Sequence, residues 1–202
     1  MTSPPLILGS TSRYRVELLQ RLRLPFDVQS PRVDETPLRG EAPADLALRL
    51  ALAKAREVAA RFADAIVIGA DQVADLDGDS IGKPGSHDHA VTQLRRMSGR
   101  EVVFQTAVAV VHASAGFERA ALVPVRVLFR TLTDAEIDHY LRADQPYDCA
   151  GSAKAEALGI ALLARLSSDD PTALVGLPLI STCDLLRAAG LDPLAPPPPA
   201  PH

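Results

Sequence analysis

Ala65-Ile66-Val67-Ile68-Gly69-Ala70-Asp71-Gln72 is the stretch that decides the fold of this chain. Its first five residues are an unbroken apolar run, the pattern of a strand buried on both faces; a half-exposed strand would alternate. A strand of that kind needs a covering layer on each side. The run gives way to a carboxylate and an amide, so the reading puts Asp71 and Gln72 where the strand ends. Open α/β sheets bind ligands at the carboxyl ends of their strands. A carboxylate there is suited to hold a divalent metal or to take a proton from water.

Working outward, Pro43 opens a helical stretch that runs to residue 62, with Leu46, Leu50 and Ala53 on one face. Nearer the start, Leu6-Ile7-Leu8-Gly9 reads as a short buried strand. Ser10-Thr11-Ser12 then supplies capping hydroxyls for a helix over residues 13–23, and Phe26-Asp27-Val28 reads as a second strand. Downstream, Asp77-Gly78 and Gly82-Lys83-Pro84-Gly85 mark turns, and residues 86–97 read as a helix. Residues 102–111 and 122–129 are rich in β-formers and predict a long antiparallel pair. Thr133 and Glu136 form a capping box, residues 158–166 read as a strand, and residues 178–189 as a helix closed by Gly190. Helices mixed with strands of both pairing types predict an α/β fold with a curved, mixed sheet, in one domain over residues 1–194. The Pro-rich residues 195–202 are expected to form an extended, disordered tail.

Composition bounds the function. Hydrophobic residues make up 47% of the 202 and aromatics only 4%, so the core is built from Leu, Val, Ile and Ala. A net charge of -4 argues against a nucleic-acid polymer as partner, because such binders carry a broad positive surface. A small phosphorylated ligand needs only a few local cations. Cys149 and Cys183 form no CxxC pair, no apolar run approaches a membrane span, and the start lacks a signal-peptide pattern. A cytoplasmic protein without a membrane partner is the expectation.

Several residues stand out chemically. Ser10, Thr11 and Ser12 precede a helix bearing Arg13 and Arg15, and a helix N-terminus with hydroxyls and guanidinium groups suits phosphate. Glu35 follows Asp34 in a loop, Lys54 lies on the long helix, and Lys83 is pinned between turn residues. Two carboxylate sites, Glu35 and Asp71, with the cations Arg15, Lys54 and Lys83 match the needs of a metal-bound triphosphate. Magnesium takes oxygen ligands and keeps waters, so one or two carboxylates suffice, while cations neutralise the phosphates. His87-Asp88-His89 looks like a metal cluster but opens a surface helix without tetrahedral spacing. Ser152, Lys154 and Glu156 lie in a Gly-flanked loop able to reach a ligand.

These pieces together resemble the Maf family of nucleotide pyrophosphatases. The resemblance rests on Leu6-Ile7-Leu8-Gly9-Ser10-Thr11-Ser12, Val33-Asp34-Glu35-Thr36-Pro37, Gly69-Ala70-Asp71-Gln72, Gly82-Lys83-Pro84-Gly85 and Gly176-Leu177-Pro178-Leu179-Ile180. Asp71-Gln72-Val73 and the run from Tyr147 through Glu156 are most similar to the branch acting on 7-methyl-GTP. The resemblance implies an elongated, two-lobed mixed sheet flanked by helices, like that of inosine triphosphate pyrophosphatases, with the site between the lobes. It implies a magnesium or manganese ion at Glu35 and Asp71, with Asp71 as proton acceptor and Glu35, Lys54 and Lys83 as further catalytic residues. It implies Ser10, Ser12 and Arg15 on the substrate, Tyr14, Gln72 and Glu156 as specificity positions, and a homodimer. Arg13 stands where the family often has Pro, which leaves Arg13 and Arg15 as rival phosphate contacts, with Arg15 favoured. The expected reaction is attack of a metal-activated water at the α-phosphorus, with Asp71 as base, metal ligand or both. Two alternatives are the same chemistry on dTTP and UTP, and a non-catalytic nucleotide-binding regulator of cell division.

Overall fold

The computed structural model describes residues 4–195. The expected tail therefore falls, apart from Ala195, outside the described residues. Seven strands form one mixed sheet: β1 (Leu6–Gly9), β2 (Asp27–Val28), β3 (Ile66–Leu76), β4 (Asp79–Ile81), β5 (Glu101–His112), β6 (Phe117–Phe129) and β7 (Leu163–Ser167). Five α-helices flank it: α1 (Arg13–Gln20), α2 (Pro43–Arg61), α3 (His87–Met97), α4 (Asp134–Asp144) and α5 (Leu179–Ala188). The strand order is β2-β1-β3-β5-β6-β7, with β4 added to β3. β1 pairs in parallel with β2 and β3, and all other pairings are antiparallel.

Two covering layers meet β3, as its apolar run demands. Val67, Gly69, Asp71 and Val73 alternate with Ile66, Ile68, Ala70 and Gln72, because successive strand residues face opposite ways. On one face α2 packs Leu46, Leu50 and Val58 against Ile7, Val67, Val73 and Ala109. On the other, Leu18 and Leu19 of α1 and Leu185 and Leu186 of α5 meet Ile66, Ile68 and Val110. At the far end of the sheet a separate core joins Leu94, Met97, Ile137 and Leu141 of α3 and α4 to Leu76, Val125, Val127 and Phe129. These cores define two lobes, and the β5–β6 ladder runs through both.

Gly69 sets the spacing of one layer. A Cβ there would lie 2.3 Å from the Ala51 carbonyl oxygen and 2.6 Å from the Ala55 nitrogen. The α2 backbone thus rests directly on β3, which only glycine allows.

Four expectations need correction. β3 does not end at Asp71; it continues to Leu76 because β5 remains its antiparallel partner from Val67 through Asp75. What ends nearby is β1, whose last pair is Gly9 with Gly69. α1 stops at Gln20, short of residue 23, with Arg23 in a left-handed conformation (φ 56°). Residues 158–166 are not one strand: Leu158–Leu162 wind as 3-10 helix before β7 begins at Leu163. The buried face of α2 holds Lys54, not Ala53, between Leu50 and Val58.

Candidate active site

The sheet is interrupted beside Asp71. β1 leaves β3 after Gly69, and β4 joins it only at Ala74. From Ala70 to Val73, β3 therefore has a neighbour on the β5 side alone. A cleft of about 600 Å³ opens at this gap, lined by residues from both lobes. Asp71 enters it from the α2 face and Gln72 from the opposite face.

Lys54 is the buried cation of the cleft. It lies four residues from Leu50 and from Val58 and eight from Leu46, which puts an ammonium group in an apolar row, and it is 5% exposed. An isolated buried charge costs several kcal/mol. Here the Nζ lies 2.7 Å from Asp71 Oδ1 and 2.7 Å from Glu35 Oε1. Asp71 Oδ2 has no hydrogen-bond partner among the described residues and is not sealed off, so it faces the cleft. Burial works against ionising Glu35, but the Lys54 contact and the charges of Lys83 and Arg15 outweigh it and hold the carboxyl below its ordinary value.

The two adjacent carboxylates of the loop part company. Asp34 Oδ1 accepts the Thr36 N–H at 2.9 Å and shapes the turn, leaving Glu35 to reach Lys54. A clamp secures that loop: Glu41 accepts the Leu38 N–H at 2.9 Å and pairs with Arg49, which donates to the Thr36 carbonyl at 3.1 Å.

Arg15 and Lys83 complete a positive rim. Arg15 Nε donates to the Gly176 carbonyl at 2.9 Å, and Nη1 to Ser10 Oγ at 3.2 Å. Burial lowers the Arg15 pKa, opposed by the charges of Asp71 and Glu35. Arg13 is exposed and stacks over the Tyr14 ring, 4.7 Å from its centroid. The rival arginines are thus separated: Arg15 is pinned inside and Arg13 stands at the mouth. Lys83 is exposed and makes no ion pair among the described residues. Its loop is held because the Gly82 carbonyl accepts from Gln93 Nε2 at 3.1 Å.

Tyr14, Gln72 and Glu156 line the same cleft. Tyr14 draws a second cation, the Lys154 Nζ, 6.0 Å from its ring centroid. Glu156 is exposed at the mouth, where the surrounding protein raises its pKa, assisted by Asp144 and opposed by Lys154 and Arg13. Cys149 also lines the cleft, with burial and Asp148 pushing its thiol up to about 12, so it stays protonated.

Glu35, Lys54, Asp71, Lys83, Ser12, Arg15, Tyr14, Gln72 and Glu156 all line this one cleft. Ser10 does not. It is 5% exposed, and its hydroxyl accepts from Arg15 and from the Ser12 N–H, so it supports the arginine from behind. Ser152 is fully buried and donates to Gln93 Oε1 at 2.6 Å. His87 and His89 do not converge: one meets Tyr147 and the other the Pro84 carbonyl. No group of three or more His, Cys, Asp or Glu side chains able to hold a metal occurs among the described residues. Sequence reasoning missed Ala173 and Leu174 and gave Gly176 no site role, yet the carbonyls of these three hold Gln72 and Arg15. Only the strand register, which places Thr106 opposite Gln72, reveals why that segment matters.

No helix of the described residues is long and apolar enough to cross a membrane. The chain is 68% identical over 190 residues to a 7-methyl-GTP pyrophosphatase of Polaromonas sp. (strain JS666 / ATCC BAA-500), covering 94% of this chain and 87% of the relative. It is 61% identical to a protein of the same name from Albidiferax ferrireducens, covering 94% and 95%, and 57% identical to one from Methylobacillus flagellatus, covering 94% and 98%. The profile of the family described as Maf-like protein matches residues 5–189, which takes in both lobes and every wall of the cleft, and by that match the chain belongs to the Maf-like protein family.

Proposed function

We propose that this chain hydrolyses a nucleoside triphosphate to the monophosphate and pyrophosphate, with 7-methyl-GTP as preferred substrate. The observation that carries the reading is the buried Lys54 ammonium held at 2.7 Å by both Glu35 and Asp71 at the gap in the sheet. A purely structural lysine at that position would be costly, whereas a cation framed by two carboxylates beside Arg15 and Lys83 is apt for phosphoryl chemistry. The names of the relatives support the same reading.

In the proposed reaction a water oxygen attacks the α-phosphorus. Its proton passes to Asp71 Oδ2, the oxygen that Lys54 leaves free. The bond from the α-phosphorus to the bridging oxygen breaks, and pyrophosphate leaves with the electron pair. Arg15, Lys54 and Lys83 hold the phosphates and offset their charge.

Glu35 and Asp71 also suit a hard divalent cation such as magnesium or manganese. Each gives one oxygen to Lys54 and keeps a second with no hydrogen-bond partner among the described residues, and an all-oxygen pair of this kind is the donor set such ions take. When bound, the ion would supply charge neutralisation and a more acidic water. A homodimer in the cytoplasm completes the proposal, and sedimentation of the purified protein checks the first part.

Pyrophosphate release from a panel of nucleotides, with and without magnesium or manganese, tests the reading. Turnover led by 7-methyl-GTP and abolished by chelator is expected. Preference for UTP or dTTP overturns the choice of base, and binding without release makes the protein a nucleotide sensor. Glu156→Gln sharpens the test. Guanine presents two adjacent donors, N1–H and N2–H₂, and an ionised carboxylate accepts both. Uracil presents one donor between two acceptors, which an amide answers better. The 7-methyl-GTP to UTP ratio of kcat/KM is expected to fall by roughly 5- to 150-fold. An unchanged ratio removes Glu156 from base recognition.

A further inference from the structure

Gln72 is not a freely rotating amide. Its Nε2 lies 2.9 Å from Thr106 Oγ1, 3.1 Å from the Ala173 carbonyl and 3.0 Å from the Leu174 carbonyl. The two carbonyls are acceptors only. Thr106, fully buried and directly opposite Gln72 in the β3–β5 register, donates its one hydroxyl hydrogen to the Ala173 carbonyl at 3.0 Å. Its oxygen is therefore an acceptor towards Gln72 as well. Three acceptors surround the amide nitrogen, so the amide cannot reverse without setting its own oxygen against them. The oxygen of Gln72 points elsewhere. It has no hydrogen-bond partner among the described residues, is not sealed off, and belongs to a side chain that lines the cleft.

We infer that Thr106 is a positioning residue for base recognition: it locks Gln72 so that the cleft meets a fixed hydrogen-bond acceptor. This rests on the reading of the cleft as a nucleotide site. A fixed acceptor favours a base that brings N–H donors to it, as guanine and 7-methylguanine do through N1–H and N2–H₂. It disfavours uracil and thymine, whose single N–H is flanked by carbonyl oxygens. A mobile amide would serve either by turning over. The segment 173–176 also gives the Gly176 carbonyl to Arg15 Nε at 2.9 Å, so one strap sets the acceptor and a phosphate-facing guanidinium together.

Thr106→Val keeps the β-branched shape and removes the hydroxyl, while Thr106→Ser keeps the hydroxyl. In Thr106→Val the 7-methyl-GTP to UTP ratio of kcat/KM is expected to fall about 3- to 10-fold, the worth of one orienting hydrogen bond. Thr106→Ser is expected to stay within about 2-fold of the parent, well inside that hydrogen-bond effect. Equal losses on both substrates in the valine variant, or a serine variant that behaves like valine, would reduce Thr106 to a packing role and overturn the inference. If the valine variant does not fold, the parent decides. The Gln72 side-chain NH₂ protons, followed by NMR in ¹⁵N-labelled protein, are expected to exchange slowly with solvent, and fast exchange overturns the lock. A parent that prefers UTP would instead overturn the choice of substrate, and the variant's ratio would still report on Thr106.

Discussion

Asp71→Asn is expected to lose roughly 10²–10⁴-fold in kcat while remaining folded, the usual effect of removing one general base. The substitution keeps the shape and an oxygen able to accept from Lys54, whose other partner, Glu35, stays 2.7 Å away. The ammonium thus keeps a counter-charge, and the melting temperature is expected to drop by no more than about 2–8 °C, or 1–2 kcal/mol at this chain length. Steady-state pyrophosphate release and circular dichroism on the same preparation check both parts. A folded variant that turns over at the parent rate takes Asp71 out of the chemistry.

Gly69→Ala carries the largest expected effect on stability. The added methyl would sit 2.3 Å from the Ala51 carbonyl oxygen, 2.6 Å from the Ala55 nitrogen and 2.9 Å from the Ala55 Cβ. Those atoms belong to the body of α2, so no flexible side-chain end can give way; the helix must move bodily. Overpacking of this kind costs about 3 kcal/mol, which for this length lowers the melting temperature by roughly 6–12 °C. The displacement also acts on function, because Lys54 adjoins Ala55 on the same turn. kcat per folded molecule is expected to fall along with stability. A melting temperature within about 2 °C of the parent would show that helix and strand do not touch as described.

The sequence made the layers legible because burial leaves a period behind it. The unbroken run at Ile66-Val67-Ile68 announced a central strand, and the Thr133–Glu136 capping box is present as read. The end of that strand was misplaced for a physical reason. A polar residue normally marks the edge of a buried element, but Asp71 and Gln72 are polar inside β3 because a neighbouring strand stops beside them. Lys54 was legible in part: its spacing by four from Leu50 and Val58 is a signal in the sequence, though an isolated Lys reads as a surface residue. Thr106 and the carbonyls of Ala173, Leu174 and Gly176 left no trace, since backbone oxygens carry no sequence and cross-strand pairs depend on register. The hydroxyl of Ser10 suits phosphate by type, but its place beneath Arg15 depends on burial, which residue type alone does not show.

The β5–β6 ladder has twelve consecutive residue pairs, from Glu101 with Leu128 to His112 with Phe117, and both lobes build their cores upon it. Mechanically this is a continuous leaf spring rather than a door on a pin. A change in the angle between the lobes would have to be a small change of twist spread along the ribbon, because its register is unbroken from one core to the other. Each end of the spring carries its own packed core. Amide exchange along the ribbon is expected to be the slowest in the molecule, and a glycine pair placed at its midpoint would weaken the restoring force between the lobes before it unfolded either one.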